Sequence, residues 1–133
     1  MRNIEHIGIA VSDMEAAIQT FSALLGQTPY KEEIVESEQV RTVFFQVGET
    51  KIELLSALSE TSVIHKFIEK RGAGVHHIAF GVEDLNTEQK RLQAEGFTFI
   101  NPEPKDGADN KRICFLHPKG TNGVLTELCE DKP

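Results

Sequence analysis

The clearest pattern along the chain is an alternation of apolar with polar or small residues, and it occurs twice. Residues 3–11 alternate with period two, and residues 75–82 repeat the pattern in the second half of the chain. This period predicts a β-strand with one apolar face in each segment. Laid over each other, the two segments place His6 on His77. We therefore predict two copies of one unit, each opening on a strand that carries a histidine.

Each of these strands is followed by a segment with the apolar spacing of a helix. The first helix is predicted to begin at a Ser-x-x-Glu capping box in residues 12–15, with Ser12 as the cap, and to end at Gly26. In the second copy, Asp84 can cap a helix that runs to Gly96. A shorter helix over residues 59–71 is predicted to connect the copies.

Further β-rich segments complete each copy. Hairpins are predicted at residues 40–57 and 112–129, and the polar segment 30–38 is typical of an exposed strand. In the second copy we predict a short strand at 97–100, followed by a mobile loop at 101–111 that is rich in Pro, Gly and Asp.

The predicted fold class is therefore α+β, with two tandem βαβββ modules. We expect a single domain over residues 1–133. Its first module spans about 3–58, its connecting helix about 59–72 and its second module about 74–130.

Composition narrows the class of protein. The 133 residues carry a formal net charge of −7, with 39% hydrophobic and 26% charged residues, as in an ordinary globular chain. The acidic balance disfavours nucleic acid as a partner, and no apolar run suits a membrane span or a signal peptide. Cys114 and Cys129 do not make a disulfide framework. We expect a cytoplasmic protein with no nucleic-acid partner and no membrane partner.

Four polar residues occupy equivalent positions in the two copies: His6 and His77 on the opening strands, Glu53 and Glu127 on the last strands. All four lie opposite the apolar face of their strand, where buried charge needs a partner or a metal ion. A single strand histidine is more often structural, but the repeated pairing of imidazole with carboxylate favours one divalent ion: Mn, Co, Ni, Mg or Zn. Four small residues beside the histidines would leave room for a substrate: Gly8, Ala10, Ala79 and Gly81.

Three motifs resemble the vicinal-oxygen-chelate (glyoxalase/dioxygenase) superfamily and, within it, the methylmalonyl-CoA epimerases. They are Gly-Val-His-His-Ile-Ala at 74–79, Lys-Ile-Glu-Leu-Leu at 51–55, and Phe-Leu-His-Pro-Lys at 115–119, which continues to Gly-Val-Leu-Thr-Glu-Leu at 123–128. The resemblance covers essentially the whole chain. It implies a cupped, partly closed mixed sheet around one metal ion, and this ion would be held by four ligands: His6, Glu53, His77 and Glu127.

The resemblance also implies a function. An epimerase of this kind removes the α-proton of methylmalonyl-CoA and returns it on the other face, and the metal stabilises the enolate. Glu127 lies at the position of the family's base and is the first candidate for that role. The expected partners are an acyl-CoA substrate and a second copy of the chain in a homodimer. One departure is Thr42, which stands where some family members carry a second catalytic glutamate. Either a water molecule or Glu53 would then serve the other face of the carbon, or the protein catalyses a different reaction.

Other members of the superfamily offer alternative functions. Glyoxalase I uses a His/Glu/His/Glu ligand set that this chain matches equally well, although Ala10 stands where glyoxalases use an arginine for glutathione. Extradiol dioxygenases and thiol-transferring resistance enzymes use only three protein ligands, so the four candidate ligands of this chain disfavour both classes. Binding proteins of the bleomycin-sequestering type line their groove with aromatic residues, whereas this chain has no Trp and one Tyr.

The remaining histidines and a group of basic residues lie outside the repeat. We expect His76 to be structural or to support a metal ligand, and His65 and His117 to be surface or local hydrogen-bonding groups. Four basic residues near the long loop could meet the phosphates of CoA: Lys105, Lys111, Arg112 and Lys119.

Overall fold

The computed structural model describes all 133 residues, and the chain divides into two compact units. The first unit is His6–His76, and the second unit combines His77–Pro133 with Met1–Glu5. In the second unit, the backbone N–H of Arg2 donates to the carbonyl of Gly81 at 2.8 Å, so the first five residues lie beside the strand that ends there.

The first unit has the order β-α-β-β-β, followed by a helix. Its elements are β1 (Asn3–Ala10, in this unit from His6 onward), α1 (Met14–Leu25), β2 (Lys31–Val35), β3 (Val40–Val47), β4 (Thr50–Ala57) and α2 (Val63–Arg71). The strand order is β2-β3-β4-β1. β1 and β4 are parallel, and the other two pairings are antiparallel, so the sheet is mixed.

The second unit repeats this plan. Its elements are β5 (Gly74–Gly81, in this unit from His77 onward), α3 (Leu85–Ala94), β6 (Lys105–Gly107), β7 (Lys111–Leu116) and β8 (Thr126–Asp131). The strand order is β5-β8-β7-β6, with β5 and β8 parallel and the other pairings antiparallel. The predicted α+β class and the repeated β-α-β-β-β order are therefore confirmed.

The prediction for the start of α1 was wrong by one residue. Asp13 caps this helix, because it has an extended backbone and its Oδ1 accepts a hydrogen bond from the backbone N–H of Ala16 at 3.1 Å. Ser12 lies one position outside the cap. In α3 the predicted cap is confirmed: Asp84 Oδ1 accepts from the backbone N–H of Thr87 at 3.2 Å.

The third strand of the second unit is not where the sequence indicated. Residues 97–100 form no strand and make only an isolated bridge, from Phe99 to Leu116. Their apolar character reflects burial, since Phe99 belongs to the core of this unit. The strand lies instead at β6, inside the segment predicted to be a loop. β6 is a polar three-residue edge strand, which carries no apolar alternation.

The predicted connecting helix is present but shorter. α2 begins at Val63, where Ser62 caps it by accepting from the backbone N–H of Ile64 at 3.2 Å. None of the three helices is long and apolar enough to cross a membrane.

Helices pack on both faces of the first unit's sheet. On one face, α1 covers a cluster that contains Met14, Phe45 and Leu54. On the other face, Ile64 of α2 packs with Ala10 and neighbouring residues. This second face is the one that carries His6, because His6 and Ala10 share the parity of β1. In the second unit, α3 packs on a core of apolar residues from β7 and β8.

Candidate metal and active site

In the first unit, the structure brings His6 and Glu53 together. They lie on the parallel neighbours β1 and β4, where Glu53 is opposite Gly8, two positions after His6. Both side chains therefore point to one face, and His6 Nε2 lies 3.2 Å from Glu53 Oε2. The side chains are only 6% and 8% exposed, respectively, so this contact is shielded from water.

The second unit contains the same arrangement. Glu127 of β8 lies opposite Ala79 of β5, again two positions after the histidine. His77 Nε2 lies 3.3 Å from Glu127 Oε1, and the side chains are 4% and 6% exposed. We call these two contacts the His–Glu pairs. The sequence predicted that each histidine and its glutamate lie opposite the apolar face of their strands, and the register of the strands places each pair on one face.

Each His–Glu pair has an aromatic neighbour that the sequence analysis missed. Phe44 lies directly opposite Glu53 in the β3–β4 register, and Phe115 lies directly opposite Glu127 in the β7–β8 register. The ring of Phe115 makes an edge contact with the imidazole of His77, with 5.8 Å between centroids. The sequence does contain evidence for these aromatic neighbours, because Phe44 and Phe115 are separated by the same number of residues as His6 and His77.

Two of the four small residues beside the histidines fit their predicted role, which is to leave room for a substrate. Gly8 and Ala79 lie opposite the glutamates and present little side chain to them. Ala10 is packed under Ile64 in a core cluster. A Cβ at Gly81 would collide with the side chain of Asn3. The prediction that Ala10 and Gly81 leave room for a substrate is therefore wrong, because other parts of the chain fill that space.

Thr42 shares the face of the first His–Glu pair. It lies opposite Leu55 in the β3–β4 register, and Leu55 is two residues after Glu53 on β4. Its side chain is buried, and its hydroxyl donates to the backbone carbonyl of Glu33 at 2.7 Å. A neutral hydroxyl in this arrangement has no capacity to accept a proton from carbon near neutral pH.

The other histidines make local contacts. His76 makes an edge contact with Phe67 of α2, with 4.8 Å between centroids. His65 lies 3.6 Å from Glu69 one helical turn away. His117 Nδ1 accepts a hydrogen bond from the backbone N–H of Lys119 at 3.2 Å. These contacts agree with the structural and local roles predicted for them.

Two of the four basic residues proposed for CoA are held by acidic neighbours. Lys111 forms an ion pair with Asp131, lies 3.8 Å from Glu5 and is only 14% exposed. The hydrogen bond from Lys111 lowers the pKa of Asp131. Arg112 forms a 3.0 Å ion pair with Glu130. The positive charges of Lys111 and Arg112 are therefore largely neutralised within the chain.

The two cysteines are buried and free. Burial, reinforced by the negative charge of Glu127, raises the pKa of the Cys114 thiol to about 12. The Cys129 thiol donates to the backbone carbonyl of Phe80 at 3.6 Å. A thiol with such a high pKa is a poor nucleophile and a poor metal ligand at neutral pH.

The donor atoms of each His–Glu pair suit a divalent ion. Two donors bound at about 2.1 Å, with an angle of about 90–110° between them, lie about 3.0–3.4 Å apart. The Nε2–Oε separations of 3.2 and 3.3 Å fall in this range. Imidazole and carboxylate are also a ligand combination that Zn, Mn, Co and Ni accept. Each pair therefore offers two candidate ligands with suitable chemistry and spacing.

Comparison with known proteins agrees with this fold. A family model, the Glyoxalase/Bleomycin resistance protein/Dioxygenase superfamily, matches residues 5–115. The ethylmalonyl-CoA/methylmalonyl-CoA epimerase of Cereibacter sphaeroides is 41% identical over 127 residues, covering 94% of this chain and 95% of that protein. An uncharacterised protein of Bacillus subtilis is also 41% identical, over 132 residues, covering 99% of this chain and 94% of that protein.

A solved structure gives the same result. The crystal structure of methylmalonyl-CoA epimerase from Mycobacterium tuberculosis matches with a TM-score of 0.94 at 38% identity, covering 98% of this chain and 89% of that chain. The chain therefore belongs to the glyoxalase/bleomycin resistance protein/dioxygenase superfamily. Its similarity over nearly the full length to epimerases makes it an enzyme of the isomerase class. Both the predicted family and the predicted enzyme class are confirmed.

Proposed function

We propose that this protein interconverts the (R) and (S) forms of methylmalonyl-CoA. The observation that carries the proposal is the repeated, buried His–Glu pair. This pair occurs in a chain that matches named epimerases over nearly its full length. The carbon to be inverted lies between a thioester and a carboxylate, so its proton is acidic enough for removal by a carboxylate base.

We infer that the two His–Glu pairs together hold one divalent metal ion, with His6, Glu53, His77 and Glu127 as its ligands. The support is the spacing of the donor atoms within each pair and the identical placement of both pairs on parallel strands. When bound, such an ion would supply a positive charge that stabilises negative charge developing on the substrate oxygens.

Glu127 is the residue to which we assign the first proton transfer. Its carboxylate is buried beside His77 and opposite Phe115, so water is largely excluded from it. His77 holds the carboxylate in a fixed direction. The carboxylate would accept the α-proton from one face of the substrate carbon and return it on reversal.

Two further expectations stay predictions. One, from the composition of the sequence, is that the enzyme acts in the cytoplasm, and the other, from the family resemblance, is that it is a homodimer. Sedimentation equilibrium of the purified chain would test the second directly: a mass of about 30 kDa supports it, and a mass of 14.8 kDa, that of one chain, contradicts it.

The alternative activity is that of a glyoxalase I, which uses a similar ligand set. The two activities separate in one assay. Metal-loaded protein would be incubated with single enantiomers of methylmalonyl-CoA and, in parallel, with the hemithioacetal of methylglyoxal and glutathione. We expect racemisation of the first substrate, lost after chelation, and no turnover of the second. Turnover of the hemithioacetal alone would replace the epimerase assignment.

A further inference from the structure

Phe115, the residue opposite the proposed base, is only partly buried. It is directly opposed to Glu127 in the antiparallel β7–β8 register, so the two side chains stand next to each other on one face. Its ring also makes the edge contact with the imidazole of His77. Its neighbours on β7, Cys114 and Leu116, point to the other face and belong to the core under α3. The exposed part of Phe115 therefore lies on the face that carries the proposed base.

The equivalent aromatic residue of the first unit is covered. Phe44 has the same position relative to its glutamate as Phe115, but it is only 1% exposed. The ring of Tyr30 packs on it with 6.0 Å between centroids, and the backbone N–H of Tyr30 donates to its carbonyl at 2.9 Å. The same backbone hydrogen bond to Phe115, also 2.9 Å long, comes from Ile100, which has no ring and is 46% exposed. The two units thus share the His–Glu pair but differ in the cover over its aromatic neighbour.

The position of Phe115 brings it within reach of a substrate on which Glu127 acts, an argument that rests on the proposed function. A base must lie within hydrogen-bond reach of the proton that it removes, about 3 Å. The alkyl group on the same carbon is one C–C bond farther away, about 1.5 Å. Directly opposed residues have Cβ atoms only about 4.5–5.5 Å apart. Of the groups on this carbon, the thioester and the carboxylate are polar, and only the alkyl group gains from contact with an apolar ring.

We propose that Phe115 is a specificity-determining residue, whose ring contacts the alkyl group on the α-carbon of a 2-alkylmalonyl thioester and limits its length. A short alkyl group fits beside the ring. A longer one must displace the ring, which is held by its edge contact with His77. Because His77 also contacts the Glu127 carboxylate, displacing the ring disturbs the base as well. Long alkyl groups are therefore processed more slowly than short ones.

The test measures kcat/KM for propylmalonyl-CoA and for methylmalonyl-CoA, and compares their ratio in metal-loaded wild type, Phe115→Ala and Phe115→Leu. The ratio is independent of the fraction of enzyme that is folded or loaded, so a loss of stability does not affect it. One methylene in a hydrophobic pocket changes kcat/KM by about 10–200-fold. The propyl-to-methyl ratio should therefore rise by at least about 10-fold in Phe115→Ala and by a smaller factor in Phe115→Leu.

Phe44→Leu is the matched control, because Phe44 has the equivalent position in the first unit but is covered by Tyr30. Its propyl-to-methyl ratio should stay within about threefold of the wild type.

A ratio within about threefold of the wild type in Phe115→Ala would overturn the proposal and leave Phe115 as a packing partner of His77. If Phe115→Ala is inactive with both thioesters, the ratio of Phe115→Leu decides in the same way. An equal rise in Phe44→Leu would also overturn the proposal, because the effect would then not depend on the uncovered ring. Failure of the wild type to epimerise either thioester would instead overturn the proposed function, and the role of Phe115 with it.

Discussion

Glu127 lies opposite Ala79 in the register of β5 and β8, two positions after the histidine that contacts it, as Glu53 lies opposite Gly8 in β1 and β4. The parallel pairing of an opening strand with a closing strand therefore creates the same His–Glu contact in each unit. Because the two contacts are 3.2 and 3.3 Å long, the repeat extends from the sequence to the positions of individual side-chain atoms.

The first prediction concerns metal stoichiometry. If the two His–Glu pairs share one ion, the wild type binds one ion per chain. Either His6→Ala or His77→Ala should then weaken metal binding by more than about 100-fold, since losing a residue that only hydrogen-bonds to a metal ligand already costs about 10–100-fold. Titration with Co(II), followed by its visible absorption, measures this. His65→Ala on α2 is the control and should bind normally. Two ions in the wild type and one in each variant would show that the pairs act separately.

The second prediction follows from the corrected helix cap. Asp13→Ala should lower the free energy of unfolding by about 1 kcal/mol, because the backbone N–H of Ala16 loses its acceptor. Ser12→Ala should change it by less than about 0.5 kcal/mol, as is usual for an exposed position. Urea unfolding curves measure both values. The reverse order of the two effects would restore Ser12 as the cap.

Acid sensitivity should depend in part on Asp84. Its hydrogen bonds with Thr87, above all from the backbone N–H, hold the pKa of Asp84 below its ordinary value. The pKa of Asp84 is thus lower in the folded protein than in the unfolded chain. Its contribution to the free energy of unfolding is therefore complete above the unfolded pKa of about 4 and is lost as the pH falls through the folded pKa. Asp84→Asn keeps a capping group without this charge. The stability difference between wild type and variant should shrink on acidification, and a difference that stays constant would contradict this account.

Cys114 should be inert in the folded enzyme. With a pKa of about 12, almost none of the thiol is ionised near neutral pH. Cys129 is equally buried. A thiol-reactive disulfide reagent at about pH 8 should therefore modify neither cysteine in the native protein and both in denaturant. Rapid modification of Cys114 in the native state would show that β7 opens more readily than the structure indicates.

The sequence predicted the elements that have a distinct apolar face. β3 and β4 were predicted at the observed residues, and the opening strands were found from period-two alternation, since the apolar face of β1 packs against α1. β6 could not be predicted, since a three-residue polar edge strand is stabilised by its pairing with β7 and not by burial. The capping residue was misplaced because Ser12 and Asp13 are both good caps, and only backbone geometry distinguishes them.

The candidate site was predictable to the extent that it is repeated. His6, Glu53, His77 and Glu127 were identified by their matching positions in two copies. The hydrogen bond from the Thr42 hydroxyl to the backbone carbonyl of Glu33 has no such counterpart, and it depends on the β2–β3 register, which the sequence did not give. The packing of Ile64 over Ala10 was also beyond prediction, because the placement of a connecting helix depends on tertiary contacts.

The most direct test of the central claim is the exchange of the α-proton of methylmalonyl-CoA in deuterated water by Glu127→Gln, compared with wild type and with Glu103→Gln. Glu103 is an exposed residue outside the His–Glu pairs and serves as the control. We predict that wild type and Glu103→Gln incorporate deuterium and racemise the thioester, and that Glu127→Gln is slower by at least about 100-fold. Racemisation by Glu127→Gln at the wild-type rate would contradict the account.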